Sequence, residues 1–284
     1  MKLMSYRSDR GPRIAALRGN EIIDLHDADP ALPSCPKALL ARGPEAIGRA
    51  EKALTAGRPV TAPVTWLPPI PSPEKIICIG LNYADHARET NATVPPCPVV
   101  FNKFPTALLP HEGTVRLPRL SEQVDYEAEL VVVIGLGGRH ISEGEARSHV
   151  AAYTCGNDVS ARDWQLNKPG RQWLSGKSFD TFAPCGPWMI TSDEIPEPGK
   201  LGIKLRLNGQ VMQDSNTAEL IFPVDHLVSY ISQFCTLSPG DLIFTGTPGG
   251  VGMGRQPPIY LKPGDVTEVE IERIGVLRNQ FEAE

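Results

Sequence analysis

The sequence predicts a strand-rich α+β fold, with a small N-terminal α/β domain over residues 1–58 and a larger domain over residues 74–284. Three observations lead there. Residues 59–73, PVTAPVTWLPPIPSP, contain six prolines. Proline fixes φ and removes an amide donor, so this stretch reads as an extended connector and the best boundary in the chain. Beyond it, short apolar runs closed by glycine-rich or Asn-Gly turns outnumber segments of helical periodicity. These runs do not alternate with helices in a regular βαβ pattern.

In chain order, the first 58 residues hold strand-like pieces at 13–17 and 21–25. A helical segment at 36–56 follows, with Leu39, Leu40, Ile47 and Leu54 as core positions. After the connector, Ile76, Ile77, Cys78 and Ile79 form a short buried strand that stops at Gly80, and a strand at 129–134 ends in a Gly-Leu-Gly-Gly turn. A third, at 204–207, is closed by Asn208-Gly209, a hairpin signal. Strands at 241–245 and 266–271 are each introduced by a Pro-Gly-Asp turn. Helices are expected at 143–152, behind Ser142 as N-cap, and at 225–234.

Of 284 residues, 41% are hydrophobic and 21% charged, a balance that buries a core and excludes a disordered chain. A net charge of −5 leaves no basic footprint for nucleic acid or an anionic membrane. The N-terminus lacks an apolar h-region and a small-residue cleavage site, and the longest apolar run, residues 130–134, is far too short to span a bilayer. The chain therefore reads as cytosolic. Six cysteines are scattered singly with no Cys-x-x-Cys pair, which points to buried free thiols rather than disulfides or zinc.

The chemistry concentrates in four segments. Asp125-Tyr126-Glu127-Ala128-Glu129-Leu130 runs straight into Val131-Val132-Val133-Ile134. On a strand alternate side chains share a face, so Asp125, Glu127 and Glu129 point the same way at the mouth of a buried strand. Carboxylates gathered there repel one another and are costly to desolvate, and a bound divalent cation is the simplest neutraliser. Asp158, at the end of a second apolar run from Val150, offers a third oxygen ligand. All-oxygen ligation selects Mg²⁺ or Mn²⁺ and counts against zinc. The plain alternative is a solvated strand face, against which the adjoining apolar run weighs.

In the second segment His86 and Glu89 stand i,i+3, so on one helical turn a carboxylate faces an imidazole, as a general base requires. The third is Ser175-Gly176-Lys177-Ser178. It is not a phosphate-binding loop, because Gly170 lies one residue too far from Gly176. Lys177 instead suits a carboxylate or a developing enolate oxygen. The fourth is the glycine-rich stretch TGTPGGVGMG at 245–254, which does not fit a dinucleotide fingerprint but lets backbone amides approach an anion. A surface ion pair, an ordinary surface lysine and a flexible turn are the plain readings of these three.

In this order the four segments resemble the fumarylacetoacetate hydrolase family. The resemblance rests on KIICIGLNYADHARE, DYEAELVVVIG, NDVSARDWQ, GKSFDTFAPCGPW, LNGQVMQDSNTAEL, GDLIFTGTPGGVGMG and PPIYLKPGD, and covers residues 71–274. RDWQ followed by RQWLSGKSFDTF looks most like the short branch typified by fumarylacetoacetate hydrolase domain-containing protein 2. It implies a mixed β-sandwich roll around the metal, behind the small N-terminal domain, and a homodimer. By position it implies metal ligands at Glu127, Glu129 and Asp158, a lid dyad of His86 and Glu89, and substrate contacts from Gln165 and Lys177. Thr247 is expected to hold a substrate carboxylate, and Arg162 to orient Asp158 or meet substrate. Asp125 stays outside the ligand set.

The implied activity is Mg²⁺- or Mn²⁺-dependent work on small 2-oxo or 2,4-dioxo carboxylic acids through a metal-stabilised enolate. C–C hydrolysis of acylpyruvate-type substrates is placed first. Keto–enol tautomerisation or decarboxylation of oxaloacetate, and isomerisation of 2-hydroxy-diene-dioates, are alternatives on the same site. Two rivals come from other classes. One is a metal-dependent phosphodiesterase or nuclease, which the acidic charge disfavours; the other is a non-catalytic protein holding structural Ca²⁺.

Overall fold

A computed structural model describes residues 1–89 and 93–284. The strand-rich α+β fold is built round one mixed sheet. Its main path runs Glu21–Asp24, Gly11–Arg18, Lys2–Ser8, Ala183–Thr191, Val150–Asn157, Ala128–Ile134, Leu242–Phe244, Ile76–Gly80 and Val99–Lys103. Ala128–Ile134 is buried along its whole length. Its side chains divide between two cores: Leu130, Val132 and Ile134 pack on one side, Val131 and Val133 on the other. A strand covered on both faces has no polar side to keep, which is why the run is apolar throughout.

Over the first face lies a five-stranded sheet in the order Gln210–Asn216, Gly202–Leu207, Val266–Ile271, Gly275–Ala283 and Thr114–Leu117, joined by the helix Val224–Phe234. Residues 1–58 cover the second face. Their Leu39, Leu40, Ala46, Ala50 and Ala53 share a core with Val131 and Val133. Lys2–Ser8 pairs antiparallel with Ala183–Thr191 through Lys2↔Ile190 and Leu3↔Met189, so the sheet runs on into the N-terminal stretch. Within the connector, Thr65–Leu67 is extended as expected and pairs with Lys2–Ser8.

Some local expectations give way. The helix expected at 36–56 is two, Pro36–Leu40 and Gly43–Ala56. Gly43 takes a left-handed φ of 69° and Pro44 begins a new first turn. The second helix packs an alanine face, and Ile47 and Leu54 are only half-buried. The helix expected at 143–152 is one turn, Glu143–Ala146, then a 3₁₀ turn Arg147–His149. Ser142 Oγ donates to Glu145 Oε2 at 2.6 Å instead of accepting from a helix amide, and the residues from Val150 onward pair with neighbouring strands. Cys78, Cys155 and Cys185 are buried free thiols, whereas Cys35 and Cys97 are exposed and Cys235 half-buried. Among the described residues no helix is long and apolar enough to cross a membrane.

The N-terminal strands also enclose a buried ion pair. Arg13 donates through Nε and Nη2 to Asp24 at 2.8 and 2.7 Å, and the Tyr6 hydroxyl donates to Asp24 at 2.7 Å. Burial works to raise the Asp24 carboxyl, but Arg13 and Tyr6 outweigh it and hold it below the ordinary value. A carboxyl held down in the folded state contributes stability above its unfolded value of about 3.9, and loses it as pH falls through the lower folded value. Urea denaturation from about pH 6 to about pH 2 is expected to show that loss. Asp24→Asn should flatten this part of the profile; an unchanged slope would contradict the account.

Candidate active site

Strands Ala128–Ile134 and Val150–Asn157 pair antiparallel with Ala128 opposite Asn157. One step further out, this register sets Glu127 opposite Asp158. The Asp158 amide donates to the Glu127 carbonyl at 2.9 Å, and Asn157 Oδ1 accepts from the Glu127 amide at 3.0 Å. Ligand oxygens of Glu127, Glu129 and Asp158 lie within 4.8 Å of one another, and all three residues are buried. Glu129 is steadied by the Gly246 amide, which donates to its Oε2 at 2.8 Å.

Three buried cations adjoin this triad. Lys177 Nζ donates to Glu127 Oε2 at 2.7 Å and to Asp158 Oδ2 at 2.8 Å. Lys103 Nζ stands 2.6 Å from Asp158 Oδ1, and Arg162 Nη2 stands 2.7 Å from Glu127 Oε1. These contacts set the carboxyls apart electrostatically. Burial works to raise Glu127, but Lys177 and Arg162 outweigh it and hold its carboxyl down. Burial pushes Glu129 well up, and repulsion from Asp158 and Glu127 adds to the push. For Lys177, burial opposes the charge, yet Asp158 and Glu127 hold the ammonium's value up.

Asp125 does not join the cluster. The strand expected to present Asp125, Glu127 and Glu129 on one face is interrupted: Val124–Asp125 pairs with Ser160–Ala161, and the long strand starts only at Ala128. Asp125 accepts from the Gly252 and Met253 amides at 2.7 and 3.0 Å and from Arg162 Nε at 2.9 Å. Nor does Arg162 orient Asp158. Its guanidinium lies against Asp125 and Glu127 and donates through Nη1 to Gln165 Oε1 at 3.0 Å, so it positions Glu127 and Gln165 instead.

His86 and Glu89 share the short helix Ala84–Glu89, and their spacing brings His86 Nδ1 to 3.5 Å from Glu89 Oε2. The imidazole is close enough to the triad to act on Glu127 electrostatically. Both Glu89 oxygens accept from the Gly250 amide, at 3.0 and 2.9 Å, and Asp85 Oδ1 accepts from the Gly249 amide at 3.3 Å. Burial works to raise Glu89; His86 and the Gly250 amide outweigh it and hold its carboxyl low. The glycine-rich loop is thus an amide donor, as its composition suggests. Its acceptors are carboxylates of the protein itself.

Thr247 is buried in that loop, where its Oγ1 accepts from Gln213 Nε2 at 2.8 Å. Gln213 also donates to the Pro248 carbonyl and accepts from the Ala128 amide, tying the loop to the carboxylate strand. Gln165 is buried on the short helix Arg162–Leu166. Sequence reasoning misses Lys103, Gln213 and Asn157. For Lys103 the available signal is a lone charge closing the run Val99–Lys103, of which only the lysine is fully buried.

The donor set suits a hard divalent cation. It consists of oxygens alone, as Mg²⁺ and Mn²⁺ prefer. The three carboxylates are buried and gathered within 4.8 Å of one another, so their negative charge is concentrated away from water. A positive charge among the three carboxylates also offsets the burial and mutual repulsion that drive Glu129 up.

Residues 75–282 match the family model described as fumarylacetoacetate (FAA) hydrolase C-terminal. Oxaloacetate tautomerase fahd2 of Xenopus laevis, a mitochondrial protein, is 45% identical over 285 residues, covering 98% of this chain and 89% of the relative. Human oxaloacetate tautomerase FAHD2A, also mitochondrial, is 44% identical over 286 residues, covering 99% and 91%. The solved fumarylacetoacetate hydrolase of Exiguobacterium antarcticum has a TM-score of 0.88 at 34% identity, with both chains covered over 100%. The mitochondrial relatives overturn the cytosolic reading. That reading rests on the lack of an apolar h-region, a mark of secretory signals, whereas mitochondrial import is addressed by amphipathic, arginine-rich segments. With residues 75–282 matched and both relatives aligned along nearly its whole length, the chain belongs to the fumarylacetoacetate hydrolase family of enzymes.

Proposed function

We propose that this chain interconverts the enol and keto forms of oxaloacetate, with Mg²⁺ or Mn²⁺ held by Glu127, Glu129 and Asp158. The observation that carries the reading is the convergence of three buried carboxylates within 4.8 Å, with the Lys177 ammonium against two of them. The choice of substrate draws its support from relatives named as oxaloacetate tautomerases that align along 98% and 99% of the chain.

A hard divalent cation in this place supplies Lewis acidity toward the 1-carboxylate and 2-oxo oxygens of an α-keto acid. The chain's own residues do the rest. Lys177 sets a positive charge beside the 2-oxygen, where negative charge builds as C3 gains or loses its proton. Gln165 and Thr247 hold carboxylate oxygens, and are themselves held by Arg162 and Gln213. In the enol-to-keto direction the 2-hydroxyl passes its proton to water and C3 receives one from the His86 imidazolium, with Glu89 orienting the ring. The imidazole regains a proton from solvent as the product leaves. The helix bearing both residues closes over the substrate and excludes water.

A second reading is C–C hydrolysis of acylpyruvate-type substrates, the first expectation from the sequence motifs. The His86–Glu89 pair favours it, because an imidazole oriented by a carboxylate also suits deprotonation of a water that attacks a 4-oxo group. Tautomerisation stands ahead because the relatives that align along nearly the whole chain are named for it.

NMR in D₂O with oxaloacetate or acylpyruvates, and Mg²⁺ or Mn²⁺, separates these reactions. Tautomerisation is expected to bring deuterium into C3 with every carbon retained, whereas decarboxylation or hydrolysis yields pyruvate. His86→Ala is expected to slow C3 exchange by about 10²- to 10⁴-fold with Mn²⁺ binding unchanged. Exchange no faster than in buffer with the same ion defeats the tautomerase reading, and full turnover in excess chelator defeats the cation.

A further inference from the structure

Lys103 belongs to none of the roles assigned so far, yet its side chain is 0% exposed and its ammonium is surrounded by oxygen. Nζ donates to the backbone carbonyls of Val159, Lys177 and Phe182 at 3.0, 2.5 and 2.7 Å. The fourth oxygen near it is Asp158 Oδ1, at 2.6 Å. An ammonium has three N–H donors. Four oxygens thus share three donors, and the Asp158 contact is an ion pair at hydrogen-bond distance. Lys103 therefore sets its charge directly against one oxygen of the triad. The three carbonyls fix the ammonium in place, so it cannot swing away from the carboxylate.

We propose that Lys103 is a fixed interior cation that tempers Asp158 as a ligand and thereby holds down the affinity of the Glu127–Glu129–Asp158 triad for its divalent ion. The proposal rests on the reading of that triad as a cation site. A positive charge this close to one ligand oxygen opposes a second positive charge on the same oxygen, and at short range inside a protein the opposition is large. Groups that touch a ligand from outside tune the ion it holds. Lys103 is thus a positioning residue that works through Asp158, and it also staples the segments carrying Asp158 and Lys177 by bonding Val159 and Lys177 in one grip.

A merely structural lysine and a tempering lysine predict opposite signs. If Lys103 only supports the fold, neutralising it loosens the site and weakens ion binding. If it tempers the site, neutralising it tightens binding. The experiment is titration of free Mn²⁺ by EPR on the full chain, for the parent, Lys103→Gln and Lys103→Arg, with thermal denaturation to establish folding. Glutamine keeps amide donors for the carbonyls and drops the charge; arginine keeps the charge. The expected result is a Kd for K103Q at least about tenfold lower than that of the parent, a difference of about 1.4 kcal/mol, with K103R within about threefold of the parent. Should K103Q not fold, Lys103→Met takes its place in the same titration. A folded neutral variant that binds Mn²⁺ equally or more weakly overturns the proposal and leaves the triad standing as the cation site. A parent that binds no Mn²⁺ overturns both.

Discussion

Glu129→Gln is expected to cut oxaloacetate turnover by more than about 100-fold, while the chelated protein stays as stable as the parent or becomes more so. Glutamine removes one of three anionic ligands, and loss of even the outer partners of a metal ligand costs about 10- to 100-fold. Stability moves the other way for a local reason. Burial pushes the Glu129 carboxyl well up, with Asp158 and Glu127 adding to it, so its charge opposes the folded state. The bond it accepts from the Gly246 amide is kept, because an amide oxygen also accepts. Thermal denaturation in chelator and an Mn²⁺ titration on the same preparation test both halves. A chelated variant clearly less stable than the parent, or one with parental Mn²⁺ affinity, would defeat this assignment.

Asp158→Ala is expected to fail on both counts. Its two oxygens face Lys103 and Lys177, whose side chains are 0% and 2% exposed. Truncation takes from Lys103 its carboxylate partner and leaves Lys177 with Glu127 alone. Breaking a buried pair in this way costs about 3–5 kcal/mol, against about 0–1 for a surface pair. The urea midpoint should fall accordingly with an unchanged m-value, and Mn²⁺ binding should disappear. A loss no larger than that of a surface pair would show that the ammoniums are satisfied elsewhere. The contrast between the two substitutions, one functional and one both functional and structural, is the sharpest consequence of how unevenly the cations are shared.

What could be read from the chain was whatever local periodicity or motif spacing determines. The apolar run after Glu129 marks a strand buried on both faces, and the i,i+3 spacing of His86 and Glu89 brings them together on one turn. Tertiary choices were not legible. The alternation that set Asp125 beside Glu127 and Glu129 assumes an unbroken strand, and the break before Ala128 sends Asp125 to Arg162 and the Gly252 amide. Lys103 looks like any strand-ending lysine until the carbonyls of Val159, Lys177 and Phe182 are folded round it. The pairing of Leu3 with Met189, which draws the N-terminal strands into the main sheet, leaves no trace in either segment alone.

The helix bearing His86 is moored by its own acidic side chains to backbone amides of Gly249 and Gly250. The two ends of that mooring differ in how much change they can absorb. Gly250 has φ of 102°, and a Cβ there would collide with the Met212 carbonyl; one at Gly252 would collide with the Ile259 carbonyl. The quay is rigid and the rope is not. Change in this tie is therefore left to positions 85 and 89, where a shorter or neutral side chain weakens the acceptors that the Gly249 and Gly250 amides meet.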